Sequence, residues 1–246
     1  MNSGSPSIMT MNIRENYLRI KERIARAAVS AGRDPHEIQL VVVTKTHPIP
    51  VIQSVIDAGA IELGENYVEE AIPKIQALNS NTRVHWHMIG HVQGRKASSV
   101  CQYFQCLHSL DSLKLAERLC RFATEMNITL PAYLEFNVSG EVSKSGWDIG
   151  MDENWENILP DIEQIVALPR LNILGVMTIP PYSTDPEASR LYYRKLRRFQ
   201  EFLSNRMQLT GFNKLSMGMS GDFEVAIKEG STCVRIGQAI LGPRAT

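Results

Sequence analysis

Neither sign of charge dominates this chain of 246 residues: 26 lysines and arginines offset 26 aspartates and glutamates, leaving a formal net charge of zero. That balance offers no global field to nucleic acid or to an anionic membrane, so neither partner is expected. No apolar run approaches the roughly 20 residues that a membrane-spanning helix needs. The opening Met1-Asn-Ser-Gly-Ser-Pro6 has neither a basic start nor an apolar segment, so no secretion signal is expected. Cysteine is scarce as well. Cys101, Cys106, Cys120 and Cys233 form no Cys-x-x-Cys pair, and a chain of this size does not depend on cross-links, so reduced thiols and a cytoplasmic location are expected. Low-complexity tracts and short repeats are missing, which argues against a solenoid.

What is present converges on Lys45. Leu40 to Val43 is a short unbroken run rich in β-branched residues, suited to a strand buried on both faces, and Lys45 falls at its carboxyl end. Pro48 and Pro50 stop the strand, and Val51, Ile52, Val55 and Ile56 follow helical spacing as far as Gly59. In α/β folds chemistry collects at the carboxyl ends of strands.

The same alternation continues. An amphipathic helix is expected from Ile13 to about Ala31, after ten small and polar residues that read as a flexible start; residues 11–246 then form a single domain. Strands are expected at 40–43, 60–64, 84–89, 102–108, 132–138, 171–177, 214–216 and 232–235, with helices at 51–59, 68–78, 112–126, 154–167, 186–204 and 222–229. Eight strands alternating with helices and no splitting linker favour a closed (β/α)₈ barrel over a doubly wound sheet, with the first helix an extra element before strand one.

A second stretch, Leu215-Ser-Met-Gly-Met-Ser-Gly-Asp222, is followed by Val234-Arg-Ile-Gly237. Ser220 suits a helix N-cap, Gly218 and Gly221 allow close backbone approach, and barrels often place phosphate in the loops after strands seven and eight. Neither loop matches a nucleotide fingerprint. An amine at the end of strand one facing a phosphate cup fits a ligand with an aldehyde at one end and a phosphate at the other. Pyridoxal 5'-phosphate is such a ligand, and a lysine Schiff base is its usual anchor.

The segments Val43-Thr-Lys-Thr46, Leu63-Gly-Glu-Asn-Tyr-Val68, Trp86-His-Met-Ile-Gly90, Ser143-Lys-Ser-Gly146, Gly175-Val-Met-Thr-Ile-Pro180, Leu215-Ser-Met-Gly-Met-Ser220 and Val234-Arg-Ile-Gly237 resemble the pyridoxal phosphate homeostasis protein family, in the family's order. The resemblance implies a barrel like the N-terminal domain of alanine racemase, a Schiff base to Lys45, and buffering or delivery of the cofactor rather than turnover, with no catalytic residue and no metal. It assigns the phosphate to Met219, Ser220 and Gly221 and to the Ile236-Gly237 turn, sets Arg235 against the ring nitrogen, and puts Asn66 near the phenolic oxygen. Transient contact with apo forms of pyridoxal phosphate enzymes and a monomeric state are expected with it.

His91 and Arg95 depart from the family pattern, and Gly94 loosens the helix start there. His85 and His87 alternate along a strand as a metal pair would, but no further ligand is evident. Lys144 reads as a solvated loop lysine, and the basic stretch 192–198 as an exposed helix face. The alternative function is a pyridoxal phosphate-dependent amino-acid racemase. That reaction needs a second base opposite Lys45, which alanine racemase takes from an additional domain.

Overall fold

The computed structural model describes residues 7–78 and 83–243. Nine parallel strands occur among them: β1 Gln39–Val43, β2 Glu62–Glu65, β3 His85–Met88, β4 Cys106–Leu110, β5 Leu130–Asn137, β6 Trp147–Asp148, β7 Leu171–Met177, β8 Lys214–Ser216 and β9 Cys233–Ile236. Their order is β4-β3-β2-β1-β9-β8-β7-β5, and a β4–β5 pairing closes the ring, so eight strands make the expected barrel. The two residues of β6 extend β5 beyond the ring, with Phe136 opposite Trp147.

The helices are α1 Ser7–Ser30, α2 Ile49–Asp57, α3 Val68–Leu78, α4 Ala97–Tyr103, α5 Leu113–Glu125, α6 Leu159–Val166, α7 Arg190–Met207, α8 Phe223–Lys228 and α9 Gln238–Leu241. The longer helices that follow β1 lay an apolar stripe inward. On α5 the stripe is Leu115, Ala116, Leu119, Cys120 and Ala123, all buried. One expected strand, 102–108, is corrected at its start: residues 97–103 are helical and the strand begins at Cys106. Ala97, Val100, Cys101 and Phe104, spaced three, one and three apart, are buried together, and that is a helical period.

The first helix starts at Ser7, ahead of the apolar spacing that begins at Ile13; of the ten residues expected to be loose, 1–6 lie outside the described residues. Its buried positions Ile13, Tyr17, Ile20, Ile24 and Ala28 face α2, α8 and α9. Asn16 Nδ2 donates to the carbonyl of Ile240 at 3.2 Å, and Arg23 grips Glu224 through Nε–Oε1 at 3.0 Å and Nη2–Oε2 at 2.9 Å. The helix thus seals the side of the barrel where β1 meets β9.

Candidate functional site

The carboxyl ends of β1, β2, β8 and β9 surround a cavity of about 650 Å³, within the usual size range of a small-molecule site. Lys45, Asn66, Met219, Ser220, Gly221, Arg235 and Gly237 all line it. Of the eight residues singled out in the sequence only Ile236 turns away, its side chain fully buried in the apolar core. Strand register explains the convergence. Val41 pairs with Arg235 and Val43 with Gly64, so the continuation of β1 at Lys45 is flanked by the ends of β9 and β2.

Asn66 follows β2, and its backbone rests against Gly90 at the end of β3. A Cβ at Gly90 would lie 2.4 Å from the Asn66 carbonyl oxygen, so only glycine leaves that space. The loop after β8 is shaped by Gly218, whose φ of +100° suits glycine, and by Asp222. Asp222 Oδ1 accepts from the Met219 N–H at 2.8 Å, while Oδ2 accepts from Ser189 Oγ at 2.9 Å and Tyr193 Oη at 2.7 Å. Ser220 Oγ accepts from the Ala239 N–H at 3.3 Å. His47, Ile179, Tyr182 and Asp222 complete the wall and were not singled out in the sequence.

Arg235 is buried, and burial lowers its pKa. Its hydrogen bonds run to neutral acceptors, Ser216 Oγ from Nη1 at 2.5 Å and the Thr178 carbonyl from Nη2 at 2.9 Å. From there a column of contacts crosses the barrel interior: Ser216 Oγ to His108 Nδ1 at 2.8 Å, His108 Nε2 to His87 Nδ1 at 2.9 Å, and His87 Nε2 to Glu62 Oε2 at 2.7 Å. The donor inventory gives the column one direction. Arginine can only donate, so Ser216 accepts from it and gives its hydrogen to His108 Nδ1. Burial holds His108 far below its ordinary pKa, so it is neutral and carries its proton on Nε2. His87 then accepts at Nδ1 and donates from Nε2 to Glu62. Burial alone would raise the Glu62 pKa, but the hydrogen bonds from His87 and His85 outweigh it and lower the value.

His85 and His87, whose alternation alone would suit a metal pair, go separate ways. His85 is half exposed and meets Glu62 at 3.2 Å, while His87 turns inward. His87, Cys106 and His108 bring three donor atoms within 4.8 Å, but the imidazoles are bonded to each other and burial pushes the Cys106 thiol well up, keeping it protonated. Such a cluster is a hydrogen-bonded core more than a ligand set.

The atypical segment finds local partners: His91 meets Asp111 at 2.8 Å, Arg95 meets Gln93 at 2.9 Å, and Lys96 pairs with Glu69. Lys144 donates to the Ile179 carbonyl at 3.2 Å beside the cavity wall and pairs with Glu141, so it is less solvated than expected. On α7 the basic residues make ion pairs, Arg194 with Glu229 and Arg198 with Asp152, while Tyr193 and Leu196 are buried.

The model of the alanine racemase N-terminal domain matches residues 8–245. The pyridoxal phosphate homeostasis protein of Aquifex aeolicus is 39% identical over 234 residues, which cover 95% of this chain and 99% of that protein. A solved structure described as an unknown protein from Bifidobacterium adolescentis has a TM-score of 0.84, 32% identity and coverage of 97% of this chain and 98% of that one. PipY of Synechococcus elongatus PCC7942, solved with PLP bound, gives a TM-score of 0.77 at 31% identity, covering 89% of this chain and all of that one. Among the described residues no helix is long and apolar enough to cross a membrane.

Proposed function

Because the chain belongs to the pyridoxal phosphate homeostasis protein family, built on the alanine racemase N-terminal domain, we propose that it binds pyridoxal 5'-phosphate in this cavity and serves intracellular homeostasis of that cofactor. The observation that carries the reading is the convergence, on one cavity, of the Lys45 amine, the Met219–Gly221 loop, the Gly237 turn and a buried arginine whose own hydrogen bonds go to neutral groups. An anionic ligand with an aldehyde suits that donor set.

On this reading Lys45 would hold the cofactor by its aldehyde, its amine supplying the Schiff-base anchor that pyridoxal phosphate ordinarily uses. Backbone around Met219, Ser220 and Gly221 and at Ile236-Gly237 would hold the phosphate, Asn66 would serve the phenolic oxygen, and Arg235 would meet the ring nitrogen. A group that stays protonated disfavours a second positive charge there and weakens the ring as an electron sink, which suits storage and handover to apoenzymes better than turnover. The carboxylate of Asp222, with three donors upon it, is committed to the loop and is a poor second base. Four free, buried cysteines support a reducing cytoplasm.

Reduction with borohydride should fix the cofactor on Lys45, and Lys45→Ala should abolish the visible band of the bound cofactor; a full band in the variant would move the attachment elsewhere. The loaded protein is then incubated separately with L-alanine in deuterated water and with an apo-transaminase. Reactivation of the transaminase with at most trace inversion of the alanine is expected, since a missing second base costs about 10²–10⁴ in rate. Rapid incorporation with inversion and no reactivation would establish a racemase instead.

A further inference from the structure

A buried cluster outside the lining of the cavity surrounds Lys74. Lys74, on α3, has its side chain 9% exposed, and Nζ donates to Glu65 Oε1 at 2.8 Å, to Glu70 Oε1 at 2.6 Å and to the Thr44 carbonyl at 3.0 Å. Glu65 Oε1 also accepts from Thr44 Oγ1 at 2.6 Å, and Glu70 Oε1 from the Thr46 N–H at 2.6 Å. These contacts fall on the two residues that bracket Lys45.

The backbone between them is unusual. Thr44 to His47 is a tight turn closed by the His47 N–H to Thr44 carbonyl bond at 3.1 Å, with Lys45 second and Thr46 third. Thr46 has a φ of +65°, a left-handed conformation that a β-branched residue adopts only when its surroundings impose it. The Thr44 carbonyl belongs to the peptide before the Lys45 Cα and the Thr46 N–H to the peptide after it. Lys74 holds the first directly and the second through Glu70. A lysine buried among acceptors is costly unless each of its hydrogens is used, and here all three are. One ammonium group therefore fixes both peptide planes that set the direction of the Lys45 side chain.

We propose that Lys74 is a positioning residue for Lys45, aiming its amine at the cavity through this clamp; the proposal rests on Lys45 being the attachment point. Orientation matters most in bond formation: an error of about 1 Å in a reacting group can cost on the order of a hundredfold. Noncovalent grip on the phosphate, supplied by other strands, is indifferent to the clamp.

A double-mutant cycle separates the two, with pyridoxal 5'-phosphate itself as the probe. Lys74→Met should lower affinity and the rate of attachment by about tenfold when Lys45 is present, and should leave the noncovalent affinity measured in a Lys45→Ala background unchanged. Glu70→Ala, at a half-buried position, should repeat the pattern more weakly and carries the test if Lys74→Met does not fold. Equal losses in both backgrounds would mean that the cluster only stabilises the barrel, and no loss in either would mean that the turn holds itself; both overturn the proposal. Borohydride followed by peptide mass analysis of the unsubstituted protein tests the reading beneath it: an adduct anywhere but Lys45 overturns that reading and leaves the clamp's effect on the turn to be judged by the Thr46 amide resonance, which Lys74→Met should shift.

Discussion

The interior of the barrel and its rim hold their polar groups in opposite ways. Inside, Arg235, Ser216, His108, His87 and Glu62 come from five different strands and are joined in series, each passing one hydrogen to the next. At the rim, Asp222 gathers Met219, Ser189 and Tyr193 in parallel on one carboxylate. A series arrangement fails as a unit, because a member removed leaves its neighbours buried without partners. A parallel one loses a single contact at a time. Barrel interiors are usually filled by branched aliphatic side chains, so a polar column here marks a place where orientation was worth more than packing.

The strongest way to break that contrast is Arg235→Glu. The new carboxylate would face the Thr178 carbonyl and the buried Glu135, and the charge the cavity offers an anion would reverse. Losing a charged hydrogen-bonding group costs about 1.5–3 kcal/mol and the new carboxylate repels an anion besides, so retention of pyridoxal phosphate should fall by about a hundredfold. Competition dialysis checks it, and a loss as small as that from a rim substitution would erase the distinction.

Glu135 shares the interior with the column but does not belong to it. Its Oε2 is buried without a partner, and burial, with Asp111 adding to it, raises its pKa from 4.5 to about 7. Between those values the folded protein binds a proton that the unfolded chain does not. The stability it contributes is therefore complete below pH 4.5 and is lost as pH rises towards about 7, up to about 3 kcal/mol. Glu135→Gln should flatten urea stability between pH 5 and pH 8 and favour the variant at the higher pH; unchanged pH dependence would assign the effect to another group.

The smallest effect belongs to the rim. In Ser220→Ala the hydroxyl that accepts from Ala239 is lost while backbone donors of the same loop remain. One hydrogen bond is worth about 0.5–1.5 kcal/mol, so retention should drop only severalfold by the same dialysis assay. A drop matching that of Arg235→Glu would show that the loop, too, acts as a unit.

Sequence patterning reached the fold because hydrophobic period and strand number are local properties: Leu40–Val43 and Leu171–Met177 announce themselves. The start of the strand expected at 102–108 misled because Tyr103, Phe104, Cys106 and Leu107 read as one nearly unbroken apolar run, while the helical set Ala97, Val100, Cys101 and Phe104 overlaps it. Lys45 and Arg235 were legible from strand ends and glycine-rich turns. The column was not, since Glu62, His87, His108 and Ser216 meet only through register across separate strands. A hint existed in ionisable residues inside short, otherwise buried strands. Lys74 is similar: the spacing Glu70 to Lys74 suggests an ordinary surface pair on a helix, and only the fold shows it turned inward beneath Lys45.

The seam closed by α1 also bears on how the protein is made. The apolar face of Ile13, Tyr17, Ile20 and Ile24 packs on α8 and α9, and the Arg23–Glu224 pair spans 201 positions of sequence. At ordinary translation speeds of about 5–20 residues per second, the helix leaves the ribosome on the order of 10–40 s before its partners exist. β1 waits in the same way for β9. Folding of this barrel thus waits for α8, β9 and α9, and α1, able to pack early only on α2, spends that interval with the rest of its apolar face uncovered, the state that chaperones bind and aggregates recruit.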